Sequence, residues 1–99
     1  MEVNFKKLAD DMMTAARMTG YKVSTSRSKY DASLVFPNDE GSELYATTDP
    51  VFRGEEPFRC LNKEDEYIYF NDEEEFVNEL TEQFRKYDVD FVAVRRASE

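Results

Sequence analysis

The sequence predicts an α+β fold: a single two-layer domain with a mostly antiparallel sheet and both helices on one face of it. Three observations predict this class. Apolar residues at helical spacing occur near the start of the 99-residue chain and again in its last third. Short segments of strand composition lie between them, and turn-forming residues separate these strands, which favours antiparallel hairpins. The predicted order is α-β-β-β-β-β-α-β over residues 1–99.

The first helix is predicted to run from Val3 to Thr19. Asn4 is a favourable N-cap because its side chain can accept a hydrogen bond from the first turn. Gly20 is a typical residue just beyond a helix end. Apolar residues recur at the spacing of a helix with one buried side, at Phe5, Leu8, Met12 and Ala16.

Five strands are predicted in the middle of the chain, at Tyr21–Thr25, Ala32–Phe36, Ser42–Thr48, Phe58–Leu61 and Glu66–Phe70. Residues 37–41 combine proline, asparagine, aspartate and glycine, which favour a tight turn and so predict a hairpin over residues 32–48. A polar turn at residues 62–65 predicts a second hairpin. Residues 48–57 are expected to form the longest irregular connection.

A second helix is predicted at Asn71–Tyr87, and a last strand at Asp88–Val94. Asn71 and Glu74 have the spacing of a capping box. The acidic residues 72–75 suit the positive end of the helix dipole. Apolar residues then alternate, which indicates a strand, and residues 95–99 are expected to be flexible.

Residue types that the chain lacks exclude several kinds of chemistry. It has no histidine, which excludes Ser-His-Asp triads, Cys–His nucleophiles and the usual zinc sites. It has no glycine-rich phosphate loop, and its acidic runs lack the ligand spacing of a calcium loop. We therefore expect no enzymatic activity, no metal and no cofactor. An enzyme that uses carboxylates and a metal ion is the weaker alternative.

The composition also indicates a compartment. Cys60 is the single cysteine, so an intrachain disulfide is excluded, as suits a reducing environment. The first thirteen residues lack the apolar core of a signal peptide. No apolar run approaches the roughly 20 residues that span a bilayer. We expect a cytoplasmic protein without membrane contact.

Negative charge is concentrated in the middle of the chain. The formal net charge is −9, but residues 37–90 alone carry 17 acidic and 5 basic residues, a net of −12. Residues 1–36 carry a net +2 and residues 91–99 a net +1. A surface of this kind repels nucleic acids and anionic membranes and attracts basic partners.

The candidate partner-binding residues lie where this charge is densest and where tyrosines alternate along a strand. Carboxylates on a turn and on successive helical turns can form a spaced array that occupies a site built for phosphates. Exposed tyrosines are typical of protein interfaces. The simpler explanation is a solvated face that maintains solubility. The candidates are Glu64, Asp65, Glu66, Tyr67, Tyr69, Asp72, Glu73, Glu74, Glu79 and Glu82.

In size, charge and lack of catalytic residues, the chain resembles the small acidic inhibitors that phages and toxin-immunity systems direct at nucleic-acid-handling proteins. That resemblance implies a non-enzymatic inhibitor that mimics DNA, as a monomer or a homodimer. Its partner would be a CRISPR effector, a restriction enzyme or a nuclease toxin, and it would not bind nucleic acid itself. The alternative is a homodimeric structural or regulatory module, joined through sheet edges or the tyrosine face, with no nucleic-acid-related partner.

Overall fold

A computed structural model describes residues 4–29, 31–37, 43–47, 57–61 and 66–99. Helices and strands in these ranges are α1 Phe5–Met18, β1 Ser24–Arg27, β2 Asp31–Val35, β3 Glu43–Thr47, β4 Phe58–Leu61, β5 Tyr67–Tyr69, α2 Glu73–Arg85 and α3 Phe91–Ala97. Each strand pairs antiparallel with the next in sequence. The chain therefore has the predicted α+β class. The connections predicted at residues 37–41, 48–57 and 62–65 lie wholly or largely outside the described residues.

Helix α1 has the ends that the sequence predicts. Asn4 is its N-cap, and Asn4 Oδ1 accepts a hydrogen bond from the backbone N–H of Lys7 at 3.0 Å. The helix ends at Met18, and Gly20 follows with φ +74°. Glycine adopts this left-handed conformation without strain. The apolar side of α1 is buried at Leu8, Ala9, Met12, Ala15 and Ala16.

The first strand was predicted at the wrong place. Tyr21 has φ 64° and belongs to the left-handed turn that ends α1, so the strand predicted at Tyr21–Thr25 begins three residues later than expected. Strand β1 begins at Ser24, and all its side chains are exposed. Val23 is buried immediately before the strand. The alternation in the sequence therefore reflected one buried valine next to a turn, and not a half-buried strand.

The two predicted hairpins are confirmed. Strands β2 and β3 pair with Leu34 opposite Leu44, and β4 and β5 pair with Cys60 opposite Ile68. Leu34 and Cys60 are both buried. Because side chains alternate between the two faces of a strand, this register also fixes which residues share a face with the core.

Helix α2 begins one residue later than the predicted capping box. Its N-cap is Asp72, whose Oδ1 accepts a hydrogen bond from the backbone N–H of Glu75 at 2.9 Å. Glu75 Oε2 in turn accepts one from the backbone N–H of Asn71 at 2.8 Å. The prediction of Asn71 with Glu74 was therefore wrong by one position. Asp and Asn cap about equally well, so the sequence alone did not distinguish the two.

Aromatic rings join the helices to the strands. The ring of Phe76 on α2 stacks on Phe58 of β4 with centroids 5.0 Å apart. The ring of Phe84 meets Phe36 edge-on at 5.1 Å and stacks on Phe91 of α3 at 5.3 Å. All five rings are buried. Each ring pair contributes about 0.5–1.5 kcal/mol to stability beyond the hydrophobic gain from burying its surface.

The last predicted strand, Asp88–Val94, was wrong: residues 91–97 form helix α3. Asp90 is its N-cap, and Asp90 Oδ1 accepts a hydrogen bond from the backbone N–H of Ala93 at 3.1 Å. Phe91 and Val94, three residues apart, are the buried residues of this helix. A short apolar segment fits both the helical and the strand period, and here the cap decides for the helix.

A buried carboxylate holds α3 against α1. Asp11 on α1 is 2% exposed, and its Oδ2 lies 2.8 Å from Lys7 Nζ and 3.7 Å from Arg95 Nε. Ser98 Oγ donates a hydrogen bond to Asp11 Oδ1 at 2.6 Å. Arg95 Nη2 also lies 3.0 Å from Glu73 Oε1, which connects the group to α2. Polar contacts therefore link all three helices at one point.

Removing this carboxylate is expected to destabilise the protein strongly. Asp11→Ala removes the acceptor that the partly buried Lys7 and Arg95 share and leaves the Ser98 hydroxyl without it, which should lower the free energy of unfolding by roughly 2–3 kcal/mol. Ser98→Ala removes one hydrogen bond and should cost about 1 kcal/mol. Urea denaturation followed by circular dichroism measures both changes.

The neighbouring residue provides the control. Asp10 pairs with Lys6 at 2.9 Å on the surface, and the Lys6 hydrogen bond lowers the pKa of Asp10. Exposed pairs of this kind contribute about 1 kcal/mol or less, so Asp10→Ala should change stability little. Equal losses for Asp10→Ala and Asp11→Ala would contradict the structural role of the buried group.

Tyr21 is expected to reduce stability by its backbone conformation. Its φ of 64° is costly for a bulky residue, while its side chain is 78% exposed and contributes little packing. Asparagine tolerates left-handed φ better than other non-glycine residues. Tyr21→Asn should therefore raise the unfolding free energy by about 0.5–1 kcal/mol. Lys22→Asn is the control and should leave the urea midpoint unchanged; a lower midpoint for Tyr21→Asn would contradict the assignment of strain.

Candidate protein-binding surface

A shallow, open groove lies between the end of β5 and the solvent side of α2. Its volume is about 450 Å³. Three carboxylates on α2 share this side because residues 75, 79 and 82 recur at helical spacing. Tyr69, 47% exposed, lies at the strand side of the groove. The residues that line this acidic groove are Tyr69, Phe70, Asn71, Glu75, Asn78, Glu79 and Glu82.

The core packing of α2 orients this acidic side outward. Phe76, Leu80 and Phe84 are fully buried and lie at positions i, i+4 and i+8. Glu75 and Glu82 are exposed, and Glu79 is partly exposed. The amphipathic pattern of one helix thus fixes both the aromatic core and the array of carboxylates.

The structure brings together only part of the predicted site. Tyr69, Glu79 and Glu82 line the acidic groove. Glu66 is exposed immediately before β5, and Glu74 is exposed in the first turn of α2. Glu64, Asp65 and the side chain of Tyr67 lie outside the described residues.

Several predicted acids have structural roles instead. Asp72 caps α2, and Glu73 forms an ion pair with Arg95 of α3 on the other side of the helix. Glu82 lies in the groove but also pairs with Arg85 at 2.9 Å, and both side chains are more than half exposed. Because exposed ion pairs contribute little to stability, Glu82 can exchange Arg85 for another cationic partner at a small cost in free energy.

Glu75 was missed as a site residue, although the sequence carries the signal. It lies four residues before Glu79 and seven before Glu82, the spacing that places side chains on one helix side. Its position in the first turn of the predicted helix explained it as a helix-start residue alone. In the structure it does both: it accepts the Asn71 hydrogen bond and lines the groove.

The groove has the chemistry of a receptor for cationic side chains. Carboxylates accept charge-assisted hydrogen bonds from arginine and lysine, and a tyrosine ring adds apolar contact and a face for a guanidinium group. Among the residues that the structure describes, no cluster of His, Cys, Asp and Glu could hold a metal ion. The thiol of Cys60 is buried in the core, away from solvent.

Shifted pKa values are found away from the groove. Burial raises the pKa of Tyr87, whose ring packs near Phe36 with centroids 6.1 Å apart.

A second cavity of about 450 Å³ lies between α1 and α3, beside Asp11 and Met18. Within the described ranges, no helix is both long and apolar enough to cross a bilayer.

Comparisons with known proteins identified no relative of this chain. A scan against protein-family models found no match, and neither a search of curated proteins nor one of solved structures found a similar protein. Function therefore has to be inferred from the residues themselves.

Substitutions of neighbouring acidic residues in α2 are expected to differ in their effect on stability, because the residues have different roles. Asp72→Ala removes the N-cap acceptor and should lower the unfolding free energy by about 1 kcal/mol. Glu74→Ala, next but one in the same exposed turn, should cost less than about 0.5 kcal/mol. Thermal or urea unfolding of the two variants measures the difference. A larger loss for Glu74→Ala would refute the cap assignment.

Proposed function

We propose that this protein is a non-enzymatic inhibitor that inserts its acidic groove region into the nucleic-acid-binding cleft of a basic partner protein. The observation that carries the proposal is the convergence of Glu75, Glu79 and Glu82 beside the exposed ring of Tyr69. The partner belongs to the nucleic-acid-handling enzymes, such as a CRISPR effector, a restriction enzyme or a nuclease toxin. Both proteins would meet in the cytoplasm.

The spacing of the carboxylates supports mimicry of a phosphate backbone. Along α2 the rise of about 1.5 Å per residue places the three groups at intervals of about 4.5–6 Å. One strand of duplex DNA carries a charge about every 3.4 Å of axis. The array is thus sparser than DNA. Further affinity has to come from desolvated contact, which Tyr69 can supply.

The proposal includes a two-layer arrangement with the helices on one face of a single sheet. The pairing of Cys60 with Ile68 supports it, because it puts Ile68 on the same face of the sheet as the buried Cys60, although Ile68 itself is 49% exposed. Tyr69, one residue along, then belongs to the opposite face. Leu34 and Cys60 join the helices in one hydrophobic cluster. In this arrangement Tyr69 lies at the sheet edge, where a partner can reach it together with α2.

Inhibition of purified nucleases tests the proposal. A panel of a CRISPR effector, a restriction enzyme and a nuclease toxin is assayed for DNA cleavage with increasing amounts of the protein. At least one enzyme should be inhibited, with DNA competing for the site. The inhibition should weaken as salt is raised, since the contacts are electrostatic.

A pair of charge-matched variants identifies the surface. Glu75→Gln with Glu79→Gln and Glu82→Gln removes three negative charges, and the amide oxygen introduced at position 75 can still accept the Asn71 bond. Ser24→Lys with Thr25→Lys and Ser26→Lys changes the net charge equally, on the exposed strand β1. The groove variant should lose roughly tenfold or more in potency, and the β1 variant should lose much less. Equal potency of the two variants, or no inhibition across the panel, would refute the proposal.

A further inference from the structure

A second surface of the protein is aromatic and cationic. At the end of α1, Met18 is 60% exposed and Tyr21 is 78% exposed. Arg17 and Lys22, the residues on either side of this pair, are exposed as well. We call these four residues the α1-end patch. Large apolar side chains exposed together mark interaction sites more often than isolated ones do.

Local contacts hold the patch in a defined shape. Thr19 is buried; its hydroxyl bonds to the carbonyl of Ala16, and its Oγ accepts a hydrogen bond from the backbone N–H of Val23 at 3.3 Å. Val23 is itself buried. Gly20 and Tyr21 between them both have positive φ. The backbone at Tyr21 therefore belongs to a turn that is anchored on both sides, and an ordered backbone loses little freedom on binding.

The α1-end patch and the acidic groove are complementary in charge and in chemistry. The patch offers the guanidinium of Arg17, the ammonium of Lys22 and an aromatic ring. The groove offers carboxylates and the half-exposed ring of Tyr69. Opposite potentials of this kind favour encounter, and tyrosines are enriched where protein surfaces meet.

We propose that the α1-end patch of one copy binds in the acidic groove of a second copy. Tyr21 packs against the Tyr69 side of the groove, and Arg17 and Lys22 face its carboxylates. Because the two surfaces differ, the contact is head-to-tail and leaves one patch and one groove open at the ends. Such contacts build open chains or rings instead of a closed twofold dimer. Each contact also occupies the surface proposed above for inhibition.

Sedimentation velocity with complementary variants tests this assembly. The wild-type protein should show weak association that grows from about 10 µM to about 1 mM, as expected of a small interface, and that falls with salt. The groove variant is Glu75→Gln, Glu79→Gln and Glu82→Gln. The patch variant is Arg17→Gln, Tyr21→Asn and Lys22→Gln. Each variant alone should be monomeric, and their mixture should form a one-to-one heterodimer and nothing larger.

Control variants test whether association depends on the α1-end patch and the acidic groove, and not on net charge or on loss of folding. The β1 variant, with lysines at residues 24–26, should still associate, and Tyr21→Asn alone should weaken association roughly tenfold. Circular dichroism checks that every variant is folded. A wild-type protein that is monomeric throughout, a variant that dimerises alone, or a mixture without a heterodimer would overturn the proposal. Nuclease inhibition, measured at nanomolar concentrations where copies do not associate, is unaffected by any of these results.

Discussion

The buried carboxylate of Asp11 is the interaction on which the arrangement of the three helices depends. A carboxylate that is only 2% exposed is costly unless it is fully compensated, and here Lys7 and Ser98 compensate it from α1 and from the end of α3. Arg95 extends the contact to Glu73 on α2. The requirement to satisfy one charge thus fixes where α3 lies, and with it the end of the chain.

In the same region, one acidic residue of α2 forms a contact within the fold, while others face solvent. On one side of the helix Glu73 is committed to Arg95. On the other, Glu75, Glu79 and Glu82 line the acidic groove. Part of the negative charge that the sequence concentrates in residues 37–90 is therefore neutralised within the fold. Among the described residues of α2, the carboxylates of Glu75, Glu79 and Glu82 remain accessible on the side next to β5, and Glu74 is exposed in the first turn.

Much of this fold could be predicted from local patterns, and the failures have identifiable causes. Helix α1 and both hairpins follow from caps, turn residues and periodicity. Helix α3 could not be predicted because its segment is short and fits both periods; its buried residues and its contact with Asp11 depend on the rest of the chain. The role of Asp11 could not be predicted either, since its partners Arg95 and Ser98 are more than 80 residues away in the sequence. Long-range polar pairing leaves no local signal.

The proposed function and the proposed self-association together have a consequence for how the protein would be used. The acidic groove and the α1-end patch lie on one chain, so any partner with a basic cleft competes with other copies for the same carboxylates. Mass action decides between them. The proposed self-association would be weak because its contact is small, and it would matter only when the protein is concentrated. The proposed partner, with a long basic cleft, would engage more of the surface and displace the second copy. In these two proposals, the protein would be stored at high concentration with its acidic groove covered by another copy, and dilution would expose the groove without any change in the fold.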